Sequence, residues 1–247
     1  LAKNNPRRFE TRSGKPVMKA VVTVGNGGYD TLHYGDVPVP VPDPGEVLLK
    51  VLAAGVNNTE INTRLGWYSS SIGGGTEQLS ETSDELEVED GGWNETTPFP
   101  LIQGTDCCGE IVARGANVTN PEIGTRALVR ACMRLNGFSS LENIWLASDF
   151  DGAFAQYVTV PASEVFAVEC TWSNTELATI PCAYGTAENM LYRAEVGASD
   201  RVLVTGASGG VGSAVVQRAK RRGAHVTAIA GSRKLDAVKA LGADHVM

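Results

Sequence analysis

The stretch Thr205-Gly206-Ala207-Ser208-Gly209-Gly210-Val211-Gly212 sets glycines at 206, 209 and 212. Without a Cβ, the backbone there can turn sharply and come close to a ligand. A short apolar run, Arg201-Val202-Leu203-Val204-Thr205, leads into it, a helical pattern to about residue 222 follows, and a second β-rich run, residues 225–230, comes about 20 residues on. In that context the unpaired N–H groups at the helix start, with their partial positive charge, suit a pyrophosphate. Gly206, Ser208, Gly209, Gly210, Val211 and Gly212 are therefore the expected dinucleotide-binding residues. The end of the second run selects the dinucleotide, because an acid there would bind a ribose 2′-hydroxyl. Here Gly231-Ser232-Arg233-Lys234 occupies the place, and the first acid is Asp236. Ser232, Arg233 and Lys234 suit a 2′-phosphate that an acid would repel, so NADP(H) is expected over NAD(H). Cations at a helix start oppose the helix dipole, which also favours an anion nearby.

Other reactive residue types form weaker patterns. The cysteines at 107, 108, 132, 170 and 182 are odd in number and contain no C-x-x-C pair. Reduced, mostly buried thiols are expected rather than a disulfide scaffold or a four-cysteine zinc lobe. The histidines, His33, His225 and His245, are not spaced like a catalytic base. With 28 acidic against 21 basic side chains the net charge is -7. This balance argues against nucleic acid as the main partner. No apolar run nears the roughly 20 residues of a membrane span, and residues 1–15 have no apolar signal core; a cytoplasmic location is expected.

The elements that must position these residues fall into two textures. Residues 1–16 read as a mobile tail. Residues 17–170 read as a mostly β domain, with strand-like runs at 20–24, 46–54, 110–114, 126–131, 153–160 and 164–168. Proline at 38, 40, 42 and 44 makes an extended connector before the second of these runs. Residues 69–97 interrupt the domain as an acidic mobile insertion: eight acids lie between Glu77 and Glu95, and no Lys or Arg between Arg64 and Arg114. It is either a solvated loop or a lid. Residues 171–247 read as a βαβ nucleotide domain. Ser173 or Asn174 is expected to cap a first helix, Pro181 to interrupt it, and further helices are expected at about 183–194, 210–222 and 232–241. Residues 244–247 begin a third strand, where six complete the fold.

Taken together, Pro40-Val41-Pro42-Asp43-Pro44-Gly45-Glu46-Val47-Leu48, Ala54-Gly55-Val56-Asn57, Gly152-Ala153-Phe154-Ala155-Gln156-Tyr157 and the glycine turn resemble the medium-chain dehydrogenase/reductase superfamily. The resemblance spans residues 18–247. It implies a fold of α/β plus mostly-β class: a GroES-like β-barrel domain, then a doubly wound Rossmann domain that is incomplete here, with the active site in the cleft. The chain is thus expected to be a fragment of a longer parent. Asn57 and Thr105 stand where the zinc branch carries Cys and His, and Cys182 alone cannot hold zinc, so no metal is expected.

This pattern resembles the zinc-free quinone oxidoreductase-like (zeta-crystallin-like) branch. It implies that Asn57 lines the nicotinamide pocket with Glu60 nearby, and that Thr186 lies on the nicotinamide-side helix. The family's usual tyrosine is replaced by Asn62, and Tyr68 is the phenol expected instead. Asn57, Glu60 and Tyr68 are the candidate catalytic residues. A bland role stands beside each: a turn cap for Asn57, a surface acid for Glu60, a packing ring for Tyr68. The implied chemistry is hydride transfer from NADPH to an electron-poor small molecule, a quinone or an α,β-unsaturated carbonyl, in a homodimeric parent. Two alternatives stay open: an alcohol or aldehyde dehydrogenase-like member of the same superfamily, and a non-catalytic NADPH-binding sensor. The glycine string also fits the short-chain dehydrogenases, but it follows 200 residues and no Tyr-x-x-x-Lys comes after it.

Overall fold

A computed structural model of the chain describes residues 16–73, 96–140 and 142–247. The expected tail and most of the acidic insertion lie outside the described residues. The insertion's described flanks include Ser69 and Thr97, both buried. Contacts divide the chain into two units, 1–178 and 179–247.

The first unit is built on antiparallel strands. They are β1 (Val17–Thr23), β2 (Leu32–Pro38), β3 (Glu46–Gly55), β4 (Leu101–Ile102), β5 (Asp106–Arg114), β6 (Arg126–Val129), β7 (Cys132–Met133), β8 (Ile144–Trp145), β9 (Tyr157–Pro161) and β10 (Val165–Ala167). One sheet has the order β2-β1-β4, a second β10-β6-β5-β3-β9, and β7 pairs with β8. The expected barrel takes the form of these two sheets joined along a seam. Ala20 bridges to Ala155, Val21 N–H donates to the Phe154 carbonyl, and Gln156 N–H donates to that of Lys19. Period-two alternation turns Met18, Ala20 and Val22 inward on β1. Val47, Leu49, Ile111, Val129, Val158 and Val160 fill the larger core. Strand β2 did not show in the sequence pattern. It is the edge strand, with four of its seven residues exposed and only Val37 buried, and Pro38 at its end fits an edge.

Among the described residues, two short α-helices join this unit, α1 (Asn58–Arg64) and α2 (Asn174–Leu177). The sequence reading ended the domain at residue 170, and contacts carry it to Ala178. Leu177 and Ala178 are buried, and the Asn174 side chain accepts from Arg126 on β6. Ser173 caps α2, with Glu176 reaching back to the Ser173 N–H at 2.8 Å.

In the second unit, β11 (Arg201–Val204), β12 (His225–Ala228) and β13 (His245–Val246) form a parallel sheet in that order. Helices α3 (Pro181–Arg193), α4 (Gly210–Arg221) and α5 (Leu235–Ala240) complete it. Pro181 starts α3 rather than interrupting it, since its missing N–H costs nothing in the first turn. The expected helix over 232–241 begins as a 3₁₀ turn, Ser232–Lys234, and becomes α-helical at Leu235. The core is Leu191, Val204, Val216, Val226 and Val238 with five alanines, small enough to let helices lie close to the strands. Glu188 on α3 accepts from Arg218 at 2.8 Å and also from Arg222. These guanidinium groups hold its carboxyl below the usual range. Among the described residues no helix is long and apolar enough to cross a membrane.

Candidate functional site

The glycine turn joins β11 to α4. Gly206 has φ +59°, a left-handed conformation that glycine adopts without strain. Gly209 N–H donates to the Gly206 carbonyl at 2.9 Å, and Gly209 is the N-cap of α4. A Cβ on Gly212 would lie 2.2 Å from the Gly206 carbonyl oxygen, so only glycine lets the helix sit this close to the turn. Gly206, Gly209 and Gly210 are exposed, and Ser208, Val211 and Gly212 half-buried. The first turn of α4 contains no acidic side chain, so its N–H groups face no built-in negative charge. A cradle closed to a Cβ and a helix start with no acid fit a dinucleotide pyrophosphate.

Strand β12 ends at Ala228, and Ser232, Arg233 and Lys234 follow as an exposed turn, pinned where Lys234 N–H donates to the Gly231 carbonyl at 2.8 Å. Thr186 lies half-buried on α3. Asp244, at the other end of β12, accepts from the Val226 N–H at 2.6 Å and from Lys220 Nζ at 2.9 Å. These two donors pull its carboxyl down to about 2. The His225 and His245 rings lie 5.2 Å apart on the adjoining strands.

In the first unit, polar side chains gather where α1 meets the start of β5. Asn57 is the N-cap of α1, and its backbone N–H donates to Glu60 Oε2 at 2.7 Å. Glu60 is 5% exposed, not a surface acid. Its Oε1 accepts from the Thr105 N–H at 2.8 Å and the Thr105 hydroxyl at 2.6 Å. The Asn57 side-chain amide donates to Asp106 Oδ2 at 2.9 Å and to Thr105 Oγ1 at 3.3 Å. Gln103 continues the network, donating to the Glu60 carbonyl at 3.0 Å and accepting from Thr23 at 2.8 Å. A buried carboxylate costs much stability unless hydrogen bonds replace its water, and here three donors do so.

Asn57 and Glu60 are thus brought together, and Tyr68 follows α1 beside Trp67. Its ring lies edge-on to Trp67 at 5.4 Å in the turns after α1. Sequence reasoning missed Asp106 and Gln103 as members of this cluster. The available signal was Gln103-Gly104-Thr105-Asp106, a polar run set between apolar residues that are all buried.

None of the five cysteines is in a disulfide. Burial pushes the Cys107 thiol up to about 12 and raises Cys108 as well, which makes both poor nucleophiles. Among the described residues, no group of three or more His, Cys, Asp or Glu side chains converges to hold a metal.

Residues 43–170 match the family model of the alcohol dehydrogenase GroES-like domain. The chain belongs to the medium-chain dehydrogenase/reductase superfamily. Within it the chain is quinone oxidoreductase-like. It is 32% identical over 238 residues to the chloroplastic quinone-oxidoreductase homolog of Spinacia oleracea, covering 94% of this chain and 61% of that protein. A crystal structure of a Sinorhizobium meliloti protein assigned to the alcohol dehydrogenases superposes with a TM-score of 0.79 at 39% identity, covering 95% of this chain and 63% of that one. The quinone oxidoreductase of Coxiella burnetii superposes with a TM-score of 0.71 at 28% identity, covering 94% and 62%. The medium-chain dehydrogenase fold seen here therefore spans about three fifths of the length of these relatives.

Proposed function

We propose that the parent protein is an NADPH-dependent oxidoreductase that passes hydride to a quinone or an α,β-unsaturated carbonyl without a metal. The observation that carries this reading is the junction of β11 and α4, where Gly212 excludes any Cβ, combined with Ser232, Arg233 and Lys234 exposed after β12. When bound, NADPH supplies the hydride. The backbone N–H groups of Gly210 and Val211, at the start of α4, would hold its pyrophosphate. Arg233 and Lys234 would neutralise the 2′-phosphate, with Ser232 donating a hydrogen bond. Asn57 and Thr105 bond to each other at 3.3 Å. A carboxamide and a hydroxyl at the zinc-branch positions are poor zinc donors. With no Lewis acid, the acceptor must already be electron-poor, which is why a quinone or enone is favoured. What the chain adds is proximity and fixed polar groups. The named spinach and Coxiella relatives support this substrate class.

The test uses the full-length parent, NADPH and NADH, and a panel of quinones and enones. NADPH is expected to bind more tightly, and Arg233→Ala with Lys234→Ala to erase most of the difference, about tenfold or more. Equal affinity for the two nucleotides in the unaltered protein would rule out the 2′-phosphate site. The Sinorhizobium meliloti neighbour favours a second reading, an alcohol dehydrogenase-like activity. Oxidation of simple alcohols with NADP⁺, abolished by a chelator, would select it.

A further inference from the structure

The turn Gly25-Asn26-Gly27-Gly28, just after β1, is clasped to the end of α1. Gly27 N–H donates to the Arg64 carbonyl at 2.9 Å. The Asn26 side-chain amide donates to the carbonyls of Thr63 at 2.9 Å and Arg64 at 3.3 Å. The Arg64 guanidinium donates back, from Nη1 to the Gly27 carbonyl. Gly27 has φ +147°, a conformation in which a side chain is strained, so glycine lets the turn make this contact.

Arg64 is only 6% exposed. A guanidinium carries a permanent charge and five N–H donors. Burying such a charge is unfavourable unless an anion or a full set of acceptors replaces its water. Among the described residues the carboxylates in ion pairs are those of Asp36, Glu164, Glu188 and Asp244, and none is paired with Arg64. Asp30, in the same loop, curls back over Gly28, where a Cβ would fall 2.9 Å from its Oδ1. Two weaker effects offset part of the charge. The Tyr29 ring lies over the guanidinium, its centroid 4.9 Å from Cζ. Arg64 also ends α1, where the helix dipole is negative. Its Nε and Nη2 make no hydrogen bond among the described residues, and neither is sealed from solvent. Tyr29 is 83% exposed, so its ring moves aside without repacking a core.

We infer that Arg64 is the recognition group of an oxyanion site in the first unit, taking a carboxylate or phosphate group at Nε and Nη2 beside the Tyr29 ring. The N–H bonds of Nε and Nη2 form a planar fork whose spacing matches two oxygens of such a group. The clasp holds this fork in place before a ligand arrives, because Nη1 and the Arg64 backbone are both tied to the turn at 26–27. The site lies at the end of the helix whose first turn holds Glu60. It uses neither the glycine turn nor Ser232, Arg233 and Lys234, so the inference goes beyond the proposed function and does not rest on it.

The experiment treats the full-length parent with phenylglyoxal, which adds covalently to guanidinium groups, and reads each arginine separately by peptide mass mapping. Inorganic phosphate and benzoate are the probes, against sodium chloride at equal ionic strength. Arg64 is expected to react in chloride and to be slowed about fivefold or more by a saturating probe. Protection by phosphate alone assigns a phosphate as the source of the anion, and protection by benzoate alone a carboxylate. An Arg64 that is slowed no more than the exposed Arg193 and Arg201, or that fails to react in chloride, would overturn the site. The protecting anion is also expected to raise the melting temperature by about 2–4 °C, with NADP⁺ present to fill the glycine turn. Arg64→Gln should lose that rise, and a rise kept in full would count against the site. If this variant lacks a cooperative melt, the mapping of the unaltered protein decides alone. Arg233 is read in the same digest, and its protection by NADPH tests the proposed function separately.

Discussion

The glycine turn of the second unit and the polar cluster of the first differ in what builds them. The turn is made of backbone: one left-handed glycine, one capping glycine and one glycine that excludes a Cβ, all within seven residues. The cluster is made of side chains whose partners lie 48 and 49 positions apart in the chain. A backbone site is sensitive to added volume. A side-chain site is sensitive to the loss of a single donor or acceptor. The two should therefore fail differently when each is altered.

The sharpest way to break the comparison is Glu60→Ala. It strips three donors of their buried acceptor, and a loss of about 3 kcal/mol is expected, with unpaired groups left behind. Urea denaturation of the full-length protein would measure it. A loss below about 1 kcal/mol would mean that water replaces the carboxylate readily and that the cluster is not dry. Gly212→Ala comes next, with about 1–3 kcal/mol expected from overpacking against the Gly206 carbonyl. In contrast to Glu60→Ala, it should also weaken NADPH binding, because the turn itself must shift. Unchanged NADPH affinity would show that the cradle lies elsewhere.

The smallest effect concerns Asp244, which lies in the same unit as the turn but outside the proposed nucleotide site. Its folded pKa of about 2 lies below the ordinary 3.8, first because of the Val226 N–H and then because of Lys220. A depressed carboxyl contributes stability above its unfolded pKa and loses it as pH falls from about 4 through about 2. Asp244→Asn should therefore lower the melting temperature slightly at pH 7 and make little difference near pH 2. NADPH affinity should not change at neutral pH. A deficit that persists in full at pH 2 would assign the effect to packing rather than charge.

Much of the architecture was readable because it repeats locally. Apolar, β-rich runs bounded by turn residues marked β1, β3 and β9, and the glycine spacing with its flanking runs marked β11, α4 and β12. Strand β2 was not readable: an edge strand buries little, and Leu32–Pro38 has only Val37 buried. The family match ends at residue 170, as the sequence pattern does, and the contacts of the first unit run on to Ala178 because α2 is held by Arg126 and by burial of Leu177, neither of which leaves a local pattern.

The sequence by itself determined the glycine turn, the absence of an acid after β12 and the two-part organisation. Each follows from residue types that restrict the backbone, or from charge at a fixed offset from a motif. Only the tertiary structure decided that Glu60 is a buried tie rather than a surface acid and that Asp106 holds Asn57. Hydrogen-bond partners 45 to 49 positions apart are chosen by strand register and helix placement. Neither is written in the spacing of the residues themselves.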